Sequence, residues 1–254
     1  MKRGAVLSSF AAAEMAGEEV LLKGGSALKA ALTGFFVAAG ENPGVLLGPV
    51  SLLVAGLGSG ARAYAGRARQ PGLGGKRPRG FLPNEDIPTA ATVAVPASIA
   101  AISVACAYAS GTSLLACARP GVAAAKRHGA EGRASLLETV ATMGALAFSQ
   151  PSVKRAWIGE FGVTEGGLVG PGDLTPPAEL DGAATLVEQN YEVPWRGDVV
   201  EADTDAALGA GHVLVAADAA GLFVALAFRE LDDRLRLDPY EVGVPRLAEP
   251  VLRG

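Results

Sequence analysis

The chain has 254 residues, half of them hydrophobic and 19% charged, which is enough to bury one large core, so residues 1–254 are expected to form a single domain. A formal net charge of −4, with Lys and Arg scattered along the chain, excludes the basic stripe that neutralises phosphates and argues against a nucleic-acid partner. Cys106 and Cys117 lie in one apolar segment with no second Cys or His at metal-ligand spacing, so they read as small core residues in a reducing compartment and no metal site is expected.

Met1-Lys2-Arg3 and the short apolar run to Ala13 imitate a secretory signal. Ser8, Ser9 and the immediately following Glu14 break the imitation, and the segment reads as the first element of the domain. Residues 11 to 40 read as two helices separated at Gly24-Gly25, where glycine supplies the positive φ that ends a helix. Glu41-Asn42-Pro43-Gly44 is a turn, and the apolar runs Val50 to Leu57 and Ala61 to Ala65 read as a hairpin around Gly58-Ser59-Gly60. Residues 66 to 91 form a Gly- and Pro-rich loop carrying Arg67, Arg69, Lys76, Arg77 and Arg79.

A helical block is expected over about 92–150, with helices at 97–110, 119–130 and 131–148. The second of these would open at Pro120, in its first turn, and Pro151 with Gly166-Gly167 would close the block. The uncharged stretch Thr92 to Ala118 is longer than the about 20 residues a bilayer requires. Its Ala, Ser, Val and Thr content, with Pro96 and Gly111 inside, favours a buried helix over a membrane span, and a cytoplasmic protein with no membrane partner is expected. From about 183 to 254 the chain is strand-rich, with runs at Ala184 to Val187, Val213 to Ala217 and Leu222 to Phe228. Gly56-Leu57-Gly58-Ser59-Gly60 has alternate glycines but opens no helix, so a dinucleotide site is not implied and no cofactor is expected.

Several segments carry a collinear likeness. Gly24-Gly25-Ser26-Ala27-Leu28-Lys29-Ala30-Ala31 resembles G-G-N-A-x-D-A-A, Val95-Pro96-Ala97 resembles V-P-G, and Arg119-Pro120-Gly121-Val122-Ala123 resembles A-P-A-I-x-L-A. Gly166-Gly167-Leu168-Val169 with Asp173-Leu174 resembles G-G-L-L-T-x-x-D-L, and Tyr191-Glu192-Val193 resembles G-Y-E-V. Gly209-Ala210-Gly211-His212, followed by an apolar run and Asp218-Ala219-Ala220-Gly221, resembles a T-T-H strand opening and its D-x-x-G turn. Together, in this order across about 200 residues, they resemble the γ-glutamyltransferase family of N-terminal-nucleophile hydrolases.

The resemblance implies an α+β fold, a reduced four-layer αββα arrangement with two stacked, mainly antiparallel sheets. It also implies a reaction in which the chain cuts itself before a Thr, whose hydroxyl attacks a γ-glutamyl amide while its freed amine acts as base. Ala210 stands where that Thr would be, and Gly209 and Gly211 offer no hydroxyl. The supporting T-x-T-x-N run is replaced by Ala227-Phe228-Arg229-Glu230-Leu231. By the same resemblance Arg67 is the candidate for gripping the carboxylate of a glutamate- or glutathione-like molecule. The favoured reading is therefore a catalytically silent binding or scaffold module, without confident catalytic residues. The alternative is a working γ-glutamyl hydrolase or transferase that uses another hydroxyl such as Thr204. His212 and His128 read as packing or surface residues.

Overall fold

The structure, a computed structural model, describes residues 4–56, 60–72, 86–108, 111–175, 208–232 and 234–246. Its strands are built from short runs of Val, Leu, Phe and Ala, which suit a pleated surface. They are β1 (Ala5–Ser8), β2 (Val50–Gly56), β3 (Ala61–Gly66), β4 (Leu208–Ala217) and β5 (Leu222–Leu231), paired antiparallel in the order β1-β4-β5-β2-β3. Because side chains alternate along a strand, one face presents Val6, Val50, Leu52, Tyr64, Leu214, Leu226 and Phe228, all buried. The other face presents Leu53, Ala63 and Ala225 at its centre, partly buried, and exposed Leu7, Val213 and Phe223 towards its margins.

Helices α1 (Ala11–Leu22), α2 (Ala27–Glu41) and α3 (Ser98–Tyr108) cover the buried face, α1 over β1 and β4, α2 over β4 and β5, α3 over β2 and β3. The expected break between α1 and α2 is there. Gly24 at φ 79° ends α1, with the Gly24 amide bonded to the Leu21 carbonyl and the Gly25 amide to the Val20 carbonyl, the paired closure that a left-handed residue permits. Ser26 then caps α2, its hydroxyl accepting from the Lys29 amide at 3.2 Å. Apart from Lys29, every residue of α2 from Ala27 to Gly40 is buried, because α4 (Leu114–Arg127) packs on its far side and α5 (Glu131–Met143) packs on α4. At that crossing a Cβ on Gly121 would strike the Phe36 carbonyl, so glycine there sets how closely the helices approach.

Four boundaries differ from the sequence expectation, each for a physical reason. Residues 5–8 form an edge strand, held by pairing with Leu214–Ala217 rather than by any local signal. Helix α4 starts at Leu114, because Ser113 caps it by accepting from the Ala116 amide, so Pro120 lies in its interior. Packing against α2 and α5 outweighs the bond that Pro120 cannot donate. Pro151 opens a helix rather than closing one: α6 (Pro151–Phe161) places proline in its first turn and buries Val153, Trp157 and Phe161 at four-residue spacing. Helix α5 stops at Gly144, φ 58°, and a 3-10 turn continues to Ser149.

A two-stranded ribbon, β6 (Arg236–Leu237) with β7 (Val242–Gly243), completes the described strands. The architecture is α+β. Among the described residues the large sheet is the five-stranded one; the runs Ala184 to Val187 and Tyr191 to Val193 lie outside them. Among those residues, too, no helix is long and apolar enough to cross a membrane, and no group of three or more His, Cys, Asp or Glu side chains could hold a metal ion. Cys106 and Cys117 are free and buried. The contact with the Cys106 thiol, and then burial, push the Cys117 thiol well above its ordinary pKa, so it stays protonated.

Candidate functional site

The β4–β5 hairpin closes on Asp218-Ala219-Ala220-Gly221. One carboxylate oxygen of Asp218 accepts from the amides of Ala220 (2.9 Å) and Leu222 (3.1 Å), and the other from the amide of Ala27 (2.9 Å) at the head of α2. Gly221 takes φ 95°, which a side chain would strain. Two segments separated by about 190 residues in sequence, Gly24 to Ala31 and Asp218 to Gly221, are thus joined through one carboxylate.

Outward from that turn the pairing runs without a slip from Ala217 opposite Phe223 to Gly211 opposite Arg229, and then shifts before Leu208 meets Leu231. The irregularity encloses Gly209 and Ala210. A bulge of this kind re-aims side chains at the end of a strand, and Ala210 is exposed there. The residues flanking it across the ladder are those of the Ala227 to Leu231 run, as the resemblance implies.

His212 is not solitary. Its Nε2 lies 2.8 Å from Glu230 Oε1 and its Nδ1 3.4 Å from Ser9 Oγ. The ring is held edge-on by Phe10, with centroids 5.2 Å apart, and lies against Phe228 at 5.3 Å. Ser9 follows β1, and its Oγ also accepts from the Val213 amide at 3.0 Å. Neither Ser9 nor Glu230 carries a local sequence signal. The pairing of His212 with Phe228 and the two-residue alternation put Glu230 on the imidazole's face, so counting outward from the D-x-x-G turn reaches it.

Arg67 lies at the same end of the sheet. Gly66 pairs with Val50, Val50 with Phe228 and Phe228 with His212, so one row crosses β3, β2, β5 and β4. Arg67 follows that row on β3 and Ala210 lies just beyond it on β4. Three strand spacings separate the two backbones, about 14 Å. The resemblance singled out Arg67, whereas a deeply set arginine two residues on, Arg69, carries the packing. Its guanidinium donates to the Asp173 carbonyl at 3.4 Å, and burial pulls its pKa down against the Asp173 charge that holds it up. The buried Asp173 carboxylate accepts from the amides of Gly72 (2.9 and 3.0 Å) and Gly170 (2.8 Å), tying the loop after β3 to the Gly166 to Leu174 segment. Thr204 lies outside the described residues, and His128 ends α4 at the surface.

No family model matches the sequence, and no curated relative does. Solved structures match over most of the chain. A cephalosporin acylase from Bacillus halodurans superposes with a TM-score of 0.59 at 17% identity, covering 90% of this chain. γ-Glutamyltranspeptidases from Pseudomonas nitroreducens and Helicobacter pylori each cover 68% of it, with TM-scores of 0.52 and 0.51 at 17% and 20% identity. The chain has the γ-glutamyltranspeptidase fold. It spans 66% of the acylase chain and 64% of each transpeptidase chain. Within this fold the paired elements described above supply the frame: the Asp218 turn, the capped helix α2, the Asp173 clasp and a sheet end that carries Ala210 and His212 on β4 and Arg67 after β3.

Proposed function

We propose that this γ-glutamyltranspeptidase-like chain does not carry out γ-glutamyl transfer through position 210, and that it acts as a binding module for a glutamate- or glutathione-like molecule. The observation that carries the reading is Ala210 itself, exposed at the bulge that opens β4 between two glycines. Self-cleavage and acyl transfer of the N-terminal-nucleophile kind both need a hydroxyl there, and a methyl group can neither attack a carbonyl nor accept the acyl group. What supports binding is the shared sheet end, where Arg67 can hold a carboxylate with two parallel hydrogen bonds.

Two measurements test this. Intact-mass spectrometry of the purified chain is expected to give one species of 25.6 kDa; a pair of fragments cut within 203–210 would overturn the silent reading and bring back Thr204. Calorimetric titration with glutamate and with glutathione is expected to give heat that falls at least about tenfold in affinity in Arg67→Ala, the loss of a charge-assisted pair. Equal affinity in both forms would remove Arg67 from the site.

A further inference from the structure

We infer that Ser9, His212 and Glu230 form a hydrolytic site for small carboxylic esters with an apolar acyl group, separate from any chemistry at position 210. Ser9 is exposed, and the chain passes through it from strand β1 into helix α1. The Val213 amide donates to Ser9 Oγ at 3.0 Å, so the oxygen is pinned and its proton is the group free to face His212 Nδ1 at 3.4 Å. A contact of that length is usual for a nucleophile and base before substrate tightens it. The 2.8 Å contact with the Glu230 carboxylate places the other imidazole proton on Nε2, leaving the Nδ1 lone pair towards Ser9. Nucleophile, base and orienting carboxylate are thus in sequence, brought together from residues 203 and 18 positions apart.

The neighbouring backbone can take up the charge that develops. Helix α1 begins at Ala11, two residues beyond Ser9, and its N-cap residue Phe10 makes no side-chain cap. Among the described residues the amides of Ala11 and Ala12 have no acceptor; with the positive end of the helix behind them, they are donors for an oxyanion. The acyl preference follows from what flanks the hydroxyl: Leu7, two residues before it, is 70% exposed, and Val213, bonded to it, is 48% exposed. An open hydroxyl suits an ester, whose alcohol leaves more readily than an amine.

In the reaction Ser9 Oγ bonds to the acyl carbon, its proton moves to His212 Nδ1, and the carbonyl π pair shifts to oxygen. Collapse breaks the bond to the alcohol, which departs with the proton from His212. Water then attacks the acyl-Ser9 ester in the same way, releasing the acid and returning the proton to Ser9. The Glu230 carboxylate beside Nε2–H steadies the imidazolium. It is a positioning residue, since it acts through His212.

The full chain is treated with a fluorophosphonate probe, the labelled peptide is mapped, and hydrolysis of p-nitrophenyl butyrate is followed. One label on Ser9 is expected, with label and hydrolysis falling by about 10³-fold in Ser9→Ala and in His212→Gln. In Glu230→Gln, kcat should fall about 10- to 100-fold at unchanged KM, and Glu230→Asp should recover part of it. Absence of label from Ser9, or hydrolysis undiminished in Ser9→Ala, overturns the proposal. Should Ser9→Ala lose its fold by circular dichroism, Ser9→Cys replaces it. Its thiol is expected to react with iodoacetamide faster than that of the double variant Ser9→Cys, His212→Gln, and equal rates would overturn the proposal as well.

Discussion

The two ends of the β4–β5 hairpin make different use of the same kind of backbone. At the closed end Asp218 satisfies three amides, two in the turn and one on α2, and Gly221 supplies the positive φ. At the open end the ladder slips around Ala210, whose side chain makes no polar contact at all, while its neighbours His212 and Glu230 have paired with each other. The closed end holds the sheet to the helices; the open end presents an exposed Ala210 beside the His212–Glu230 pair.

The sharpest way to break that contrast is to attack the frame. Asp218→Ala would strand three amides and release α2 from the turn, and a loss of about 3 kcal/mol is expected from urea unfolding, since hydrogen bonds to a carboxylate are the stronger kind. A loss below about 1 kcal/mol would mean that the turn is not the anchor it looks like. Asp173→Asn tests the other clasp. It removes the charge facing Arg69 and leaves a carboxamide where three acceptor contacts stood, with an expected cost of about 2 kcal/mol. Gly221→Ala should cost about 1–2 kcal/mol through backbone strain alone, and a neutral result would show that the turn can relax.

How much of this was legible beforehand depends on whether the cause was local. Gly24-Gly25, Ser26 and the D-x-x-G turn are local devices, and the helix break, the α2 cap and the hairpin follow from them. The strand at residues 5–8 and the start of α4 at Leu114 are decided by partners distant in sequence or by a cap whose signal is weaker than the proline that masked it. Helix α6 was readable from Val153, Trp157 and Phe161, and was hidden because Pro151 looks the same at the end of one helix and the start of the next. At the site, Ala210 and Arg67 came from family likeness, and the strand register brings them to one sheet end. Glu230 is reached only by counting the hairpin register outward from Asp218, and Ser9 has no spacing signal, because its contact with His212 joins residues 203 positions apart.

Changing the open end should do least to the fold, and that is the most direct test of its independence from the frame. Ala210→Thr places a hydroxyl at an exposed position of the bulge, so a stability change within about 0.5 kcal/mol is expected. The same variant asks whether a hydroxyl at position 210 is enough for self-cleavage. By the resemblance, Ala227 and Arg229 stand where the supporting hydroxyls would be and Leu231 where the amide would be, so the strand beside position 210 would lack those groups. An uncut chain is therefore expected after prolonged incubation, read by intact mass. Cleavage before position 210 would show instead that the frame by itself is sufficient for processing, and that one side chain separates this chain from the reaction of its fold.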